Sequence, residues 1–507
     1  MIPRDDLETD RIIEELVAIL GNDNVLTSVE DRYVYSHRGA FGIEHADLPI
    51  AVITGNPSPH GLLELITNNG IEALTNIDDR GPDSQQRPYI IIDDRESLDA
   101  ENLRANLSEL QEEGREKKRA LRGTVSLNRW LTDYVQTKEG FRVNERAGKE
   151  KDFCVVQRFF GGVETYSAKG RLIVSRGLLR GGLEASDKVV DILYSCTSCG
   201  QCYDQLGEGT LEINNAIIRA RREIVEGGKG PRHCRVALEN IRGEGNPMGM
   251  PGEDRAIWWE EVEERFGYSG NEVVYWPGCS ASYRLPGIVQ STAKVLERAR
   301  VDFGLLGASE TCCGLVLYLN GQWDEAAANA RSVLEGFSRS VKALVTSCAG
   351  CFYAFSRVFS KLGAPPPFMV LHTSQLFEEL IGEGRLSFGG LEERIAWHDP
   401  CDLGRHCGVY QAPRRVLGAV PGLDVAHSPL SGEHTLCCGG GGGFMAYDIG
   451  LAERVAAQKL EEDLAPLGAG SIVTGCPACI LNLRSATREG YPGLDVLDLS
   501  QLLVKAL

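Results

Sequence analysis

The chain has 507 residues, a formal net charge of −18, 43% hydrophobic and 24% charged residues. That length accommodates about three or four domains with cores of their own, and the acidic balance argues against a nucleic-acid binder. No run approaches the roughly 18–20 apolar residues of a membrane helix.

The opening, MIPRDDLETDRIIEELVAIL, is acidic and amphipathic and lacks the regions of a signal peptide, so a cytoplasmic protein is expected. Residues 1–98 read as an α/β domain. Pro49-Ile50-Ala51-Val52-Ile53-Thr54 and Tyr89-Ile90-Ile91-Ile92 are short apolar runs of strand type, with a helix predicted near Gly61–Asn69. Residues 99–150, most charged at Gln111–Lys118, read as an exposed helical linker. Residues 151–268 form the next module, with a helix expected over Glu212–Glu226 before Gly227-Gly228. It carries Cys196-Thr197-Ser198-Cys199-Gly200-Gln201-Cys202, three of the four thiolates of a cubane [4Fe–4S] motif. The usual fourth position holds Leu206, so the local motif is one ligand short; zinc is the competing metal. The stretch Gly245–Trp258 shows no chemistry and reads as a connector.

Residues 269–392 and 393–507 carry one cysteine pattern written twice. The first copy is Cys279, Cys312-Cys313-Gly314 and Cys348-Ala349-Gly350-Cys351; the second is Cys401, Cys437-Cys438-Gly439 and Cys476-Pro477-Ala478-Cys479. Sixteen cysteines in so long a chain, with CC and CxxC spacings, point to metal rather than to a disulfide scaffold. Five soft thiolates per copy point to iron–sulfur clusters. Each copy begins with a strand running into its first cysteine, Val273–Pro277 or Ile395–Pro400, and a later strand, Ala343–Ser347 or Ile472–Gly475, delivers the CxxC. Alternating strands and helices with ligands at strand ends predict a small α/β domain with five thiolates at one rim. A helix between them should bury Trp323, Ala327, Ala330, Leu334, Phe337 and Val341 on one stripe.

Neighbouring side chains diverge in extended backbone, so chelation by a CC pair requires a tight turn, which Gly314 and Gly439 permit. Gly440 and the run through Gly443 read as close backbone approach to a cluster or its substrate, not as a nucleotide loop, since no Gly-Lys-Ser/Thr follows. His398 and His406 flank Cys401 as candidate catalytic proton donors to departing thiolates, or as hydrogen-bond partners of cluster sulfur or backbone. Arg405, Arg414 and Arg415 are candidates to hold an anionic substrate, and Cys407 is a spare thiol.

The stretch Asn24–Asn76 resembles the N-terminal region of the flavin-dependent lactate and glycolate oxidases through Val25-Leu26-Thr27, Glu30–Ser36 and Leu48–Val52. Where that family has a glycine-rich pyrophosphate loop this chain has Asp78-Asp79-Arg80-Gly81-Pro82-Asp83, whose aspartates repel phosphate, so no FAD is expected. The segment from Cys154 through Glu164–Leu172 resembles the stretch after the first ferredoxin motif in iron–sulfur subunits of glycolate oxidase and heterodisulfide reductase. That resemblance implies Cys154 as the fourth ligand beside Cys196, Cys199 and Cys202, with Cys234 the competitor.

His398-Asp399-Pro400-Cys401-Asp402-Leu403-Gly404-Arg405, the two CCG elements and the overall spacing resemble the paired cysteine-rich domains of heterodisulfide reductase subunits B and D. The latter has the nearest layout, with ferredoxin and cysteine-rich parts in one chain. Joined to the α/β N-terminal piece read from residues 1–98, the resemblance, which spans about residues 150–507, implies a multidomain α/β plus α architecture with a helical ferredoxin-type module and two tandem α/β cysteine-rich (CCG) domains. It further implies a noncubane [4Fe–4S] cluster on each five-cysteine set, fed by the cubane, acting on the disulfide of a small thiol substrate with redox partner subunits. The alternatives are an electron-transfer subunit of a flavin-dependent lactate or glycolate dehydrogenase, and a zinc-stabilised interaction protein.

Overall fold

The computed structural model describes residues 7–20, 25–36, 51–53, 72–74, 89–92, 154–202, 212–256 and 265–507. The helix expected near Gly61–Asn69, the Asp78–Asp83 loop and the 99–150 linker lie outside the described residues. The chain divides into two compact units, Met1–Ile192 with Leu206–Gly209, and Leu193–Gln205 with Thr210–Leu507.

In the first unit, β1 (Val25–Leu26), β2 (Val52–Ile53), β3 (Glu72–Leu74) and β4 (Tyr89–Ile92) make one sheet in the order β1-β2-β4-β3. Only the β1–β2 pair is antiparallel. Helix Val29–Ser36 is fastened to the segment that follows Cys154, because the Thr165 hydroxyl donates to Asp31 at 2.5 Å within buried surroundings. Two distant stretches of sequence therefore share one core.

The second unit holds two parallel sheets of four strands. β5 (Val273–Trp276), β6 (Phe303–Leu305), β7 (Ala343–Thr346) and β8 (Met369–His372) lie in the order β6-β5-β7-β8. β9 (Arg394–His398), β10 (Asp424–Ala426), β11 (Ser471–Thr474) and β12 (Asp495–Asp498) repeat it as β10-β9-β11-β12. Every residue of β7 and β11 is buried, as a central parallel strand covered on both faces requires. The strand order reverses between β5 and β7, and again between β9 and β11. That reversal opens a crevice at the carboxyl ends of the strands, where such sheets place their ligands. Cys279 and Cys348 follow the two strands flanking the first crevice, and Cys401 and Cys476 those flanking the second.

The two repeats exchange helices. Pro286–Arg298 of the first packs on Leu499–Val504 of the second, while Gln411–Gly418 of the second packs on Thr373–Gly382 of the first. Ile288, Val289, Phe377, Val416, Leu417, Leu499 and Leu502 thereby join one buried core. At roughly 1.5–3 kcal/mol per fully buried aliphatic side chain, opening that layer is costly, so the repeats behave as one body.

The apolar stripe expected on the helix before β7 is corrected in detail. The helix spans Trp323–Glu335 and buries Ala326, Ala330 and Val333, with Ala327 only half-buried, while Phe337 and Val341 lie beyond its end.

Candidate metal centre

The five thiols around the first sheet form a continuous run. Cys279 lies within hydrogen-bonding reach of Cys312, Cys312 of Cys313, Cys313 of Cys351, and Cys351 of Cys348. Around the second sheet the same order links Cys401, Cys437, Cys438, Cys479 and Cys476, with the Cys438 and Cys479 sulfurs 3.0 Å apart. The two runs meet, since Cys348 of the first reaches Cys476 of the second. All sixteen cysteines are free thiols.

Crowding polarises these thiols. Cys313 is pulled down to about 6 by the Cys312 and Cys351 side chains, which donate to it. Cys348 and Cys438 are likewise held well below the ordinary thiol range by their sulfur neighbours. Cys279, Cys351, Cys401 and Cys479 are pushed well up, first by hydrogen bonding to adjacent sulfur and then by burial. Backbone N–H groups point at the same sulfurs: Gly314 at Cys312 (3.3 Å), Gly439 at Cys437 (3.4 Å) and Gly440 at Cys438 (3.4 Å). A largely buried set of sulfur donors, partly ionised and without disulfides, fits thiophilic iron–sulfur centres, whose binding displaces the remaining thiol protons.

Gly314 and Gly439 adopt left-handed φ of +75° and +76°, the tight turn that lets both cysteines of each pair face one centre. The rest of the glycine run also approaches protein backbone closely. A Cβ on Gly440 would lie 2.4 Å from the Ala478 carbonyl oxygen, and one on Gly442 would lie 2.2 Å from that of Thr197. The run is thus seated on protein backbone, against its own CxxC and against the CxxCxxC loop.

That loop is held by the tandem repeats. Buried Arg221 donates to the carbonyls of Leu193 (2.8 Å), Cys196 (2.7 Å) and Leu319 (2.8 Å). Arg405 Nε–H donates to the Cys199 carbonyl at 2.8 Å, and the Cys199 thiol is within reach of Cys437. His406 Nε2 lies 2.9 Å from the Ser198 carbonyl, and its ring stacks on Tyr353. Its contacts therefore fasten the loop. Arg414 makes a two-pronged pair with Asp399 at 2.7 Å, and Arg415 pairs with Glu378. These arginines are engaged in protein contacts rather than gathered as an anion site.

His398 ends β9 at 1% exposure, with neither ring nitrogen bonded to protein. A ring nitrogen and the sulfurs of Cys438 and Cys479 all lie within 4.8 Å of one another. Burial, assisted by Lys459, pushes its pKa down to about 3, so the imidazole is neutral. Cys154 belongs to the first unit, where Arg171 Nη1 approaches its sulfur at 3.4 Å. Cys196, Cys199 and Cys202 belong to the second. Buried Cys234 bonds with Tyr194, and its sulfur lies 3.5 Å from His233 Nε2; burial pushes its thiol up to about 11. Cys407 lies 3.6 Å from Ser356 Oγ.

Three residues escaped the sequence reading. Arg255, in the supposed connector, donates to Cys279 Sγ at 3.3 Å and pairs with Glu310 at 2.6 Å, both side chains being 2% exposed. Glu310 also accepts the Gly278 N–H, and burial pushes its pKa up to about 8. Asp402 lies beside Cys401, about where a Cβ on Gly350 would meet it at 3.5 Å. Burial and then Cys476 push its carboxyl up to about 7. An acidic residue beside a ligand cysteine was the available signal for Asp402; nothing in the sequence marked Arg255.

Residues 273–356 and 395–484 match the family of the cysteine-rich domain named CCG. Fold, thiol sets and these matches define an iron–sulfur oxidoreductase. The chain is 31% identical over 356 residues to the D subunit of the dihydromethanophenazine:CoB–CoM heterodisulfide reductase of Methanosarcina barkeri, covering 68% of this chain and 84% of that one. It belongs to the family of that heterodisulfide reductase protein. It is also 28% identical over 330 residues to the probable iron-sulfur-binding oxidoreductase FadF of Bacillus subtilis (62% of this chain, 46% of that one). Identity is 28% over 337 residues to the EtfAB:quinone oxidoreductase of Syntrophomonas wolfei (62% and 47%). No helix among the described residues is long and apolar enough to cross a membrane.

Proposed function

We propose that this chain is the subunit of a redox complex in which two five-thiolate centres act together on the disulfide of a small thiol substrate. A disulfide takes up two electrons and two protons to become two thiols. Iron–sulfur clusters, when bound, supply electrons one at a time. What carries the reading is the meeting of Cys348 with Cys476, which brings the two thiol sets together at one point instead of isolating them.

The two runs of sulfur support one centre on Cys279, Cys312, Cys313, Cys348 and Cys351 and another on Cys401, Cys437, Cys438, Cys476 and Cys479; that each is a noncubane cluster is what the resemblance to heterodisulfide reductase implies. Cys196, Cys199 and Cys202 supply three thiolates of the cubane; the resemblance to heterodisulfide reductase implies Cys154 as the fourth, with Cys234 the competitor. The contact of Cys199 with Cys437 supports electron entry through the second repeat. The relatives named as reductase and quinone oxidoreductase support partner subunits that supply or accept electrons, a flavoprotein among them.

The test is anaerobic oxidation of reduced viologen by the purified protein with a panel of small-thiol heterodisulfides, alongside iron analysis. Turnover with a disulfide and about twelve iron atoms per chain, as three four-iron clusters require, are expected. Full iron content with no disulfide turnover, together with a co-purifying flavoprotein, would replace this reading with a pure electron relay.

A further inference from the structure

The registers of the two sheets pair one residue of each repeat. β7 aligns Thr346 with Trp276, and β11 aligns Thr474 with His398, so these rings occupy the same position at the end of the first strand. Each stands three residues before the first cysteine of its set. Each is buried, and each carries ring nitrogen with no protein partner, Nε1 of Trp276 and both nitrogens of His398. Trp276 packs in the same buried cluster as Cys279, Cys312, Cys313 and Cys351, while His398 lies against Cys438 and Cys479. A buried polar group without a partner is destabilising. Two such groups at one structural position call for a common explanation.

Indole offers only an N–H donor, and neutral imidazole offers one N–H and one lone pair. Hydrogen-bond donation is the chemistry the two rings share. We propose that Trp276 and His398 are matched N–H donors, each to the sulfur of its own repeat's metal centre, and that they set the reduction potentials of the two centres. This rests on iron being held by both thiol sets. Reduction adds negative charge, a donor favours the more negative form, and so each ring raises the potential of its own centre.

The holoprotein would be titrated potentiometrically with electron paramagnetic resonance readout, comparing wild type with Trp276→Phe, His398→Phe and the donor-retaining His398→Gln. Each Phe variant should lower the potential of one centre and leave the other unchanged. A shift of about 59 mV corresponds to a tenfold change in the one-electron equilibrium. His398→Gln should retain most of the wild-type potential. In wild-type protein containing 15N-histidine, electron spin echo spectra should reveal one weakly coupled histidine nitrogen. Strong coupling would indicate direct ligation of iron and overturn the proposal, as would absent coupling, or unchanged potentials in both Phe variants. The labelling arm needs no variant to fold. Iron content, measured first, separates failure of this proposal from failure of iron binding itself.

Discussion

The two cysteine-rich repeats share strand order, turn geometry and sulfur order, and differ in what surrounds the sulfur. In the first repeat a buried cation, Arg255, reaches Cys279 from outside the domain. In the second, Cys401 has the acidic neighbour Asp402, and the CxxCxxC loop is pressed against Cys437 and Gly442. The β8 strand of the first ends in His372 and the matching β12 of the second in Asp498, each closing a capping box on the next helix. The thiol set is thus held constant while the charged groups around it diverge.

Removing a ligand from one copy is the most severe way to break this comparison. Cys313→Ala and Cys438→Ala should each abolish the centre of its own repeat, lowering iron by about four atoms per chain and abolishing disulfide turnover. Iron analysis and low-temperature spectra check this; loss of both centres from either change would contradict independent sites.

The next effect separates the repeats by burial. Arg255→Met leaves Glu310 uncompensated and should destabilise the protein by about 3–5 kcal/mol, much of it recovered by adding Glu310→Leu. The corresponding loss at the Asp399–Arg414 pair should be smaller, because Arg414 is 23% exposed and water can reach it. Denaturant midpoints of the variants measure the difference.

Gly442→Ala sets a Cβ on the Thr197 carbonyl, at a φ of +69°, and should cost about 1–3 kcal/mol. It should perturb the spectrum of the CxxCxxC centre, which Gly314→Ala in the first repeat should leave unchanged.

The smallest effects distinguish His372 from Asp498 by the sign of their pH dependence. Burial lowers His372 to about 4, so the unfolded chain binds the extra proton; its contribution is present above about pH 6.5 and lost as pH falls toward 4. Burial raises Asp498 to about 7, so the folded chain binds the extra proton; its contribution is present below about pH 4 and lost as pH rises through 7. His372→Asn should therefore flatten the acid limb of the unfolding midpoint against pH, and Asp498→Asn the limb between pH 4 and 7. The same limb altered by both would refute the contrast.

Much of the site was legible along the chain. Thiolate spacing depends on local turns, so the CC and CxxC elements identified their own chemistry, and the strands Val273–Trp276 and Tyr89–Ile92 and the helix Glu212–Glu226 lie where their patterns put them. The glycine run reads from sequence as a place of close approach, but that backbone 245 residues upstream of Gly442 lies against it is visible only in the fold.

From sequence alone came two copies of one ligand set, a truncated third motif and the α/β periodicity that carries them, because each depends on residues near one another in the chain. Tertiary structure alone decided that Cys348 meets Cys476, that the repeats share a core through exchanged helices, and that Arg255 reaches Cys279. Those contacts depend on burial and complementary surfaces assembled from distant segments, and no local pattern encodes them.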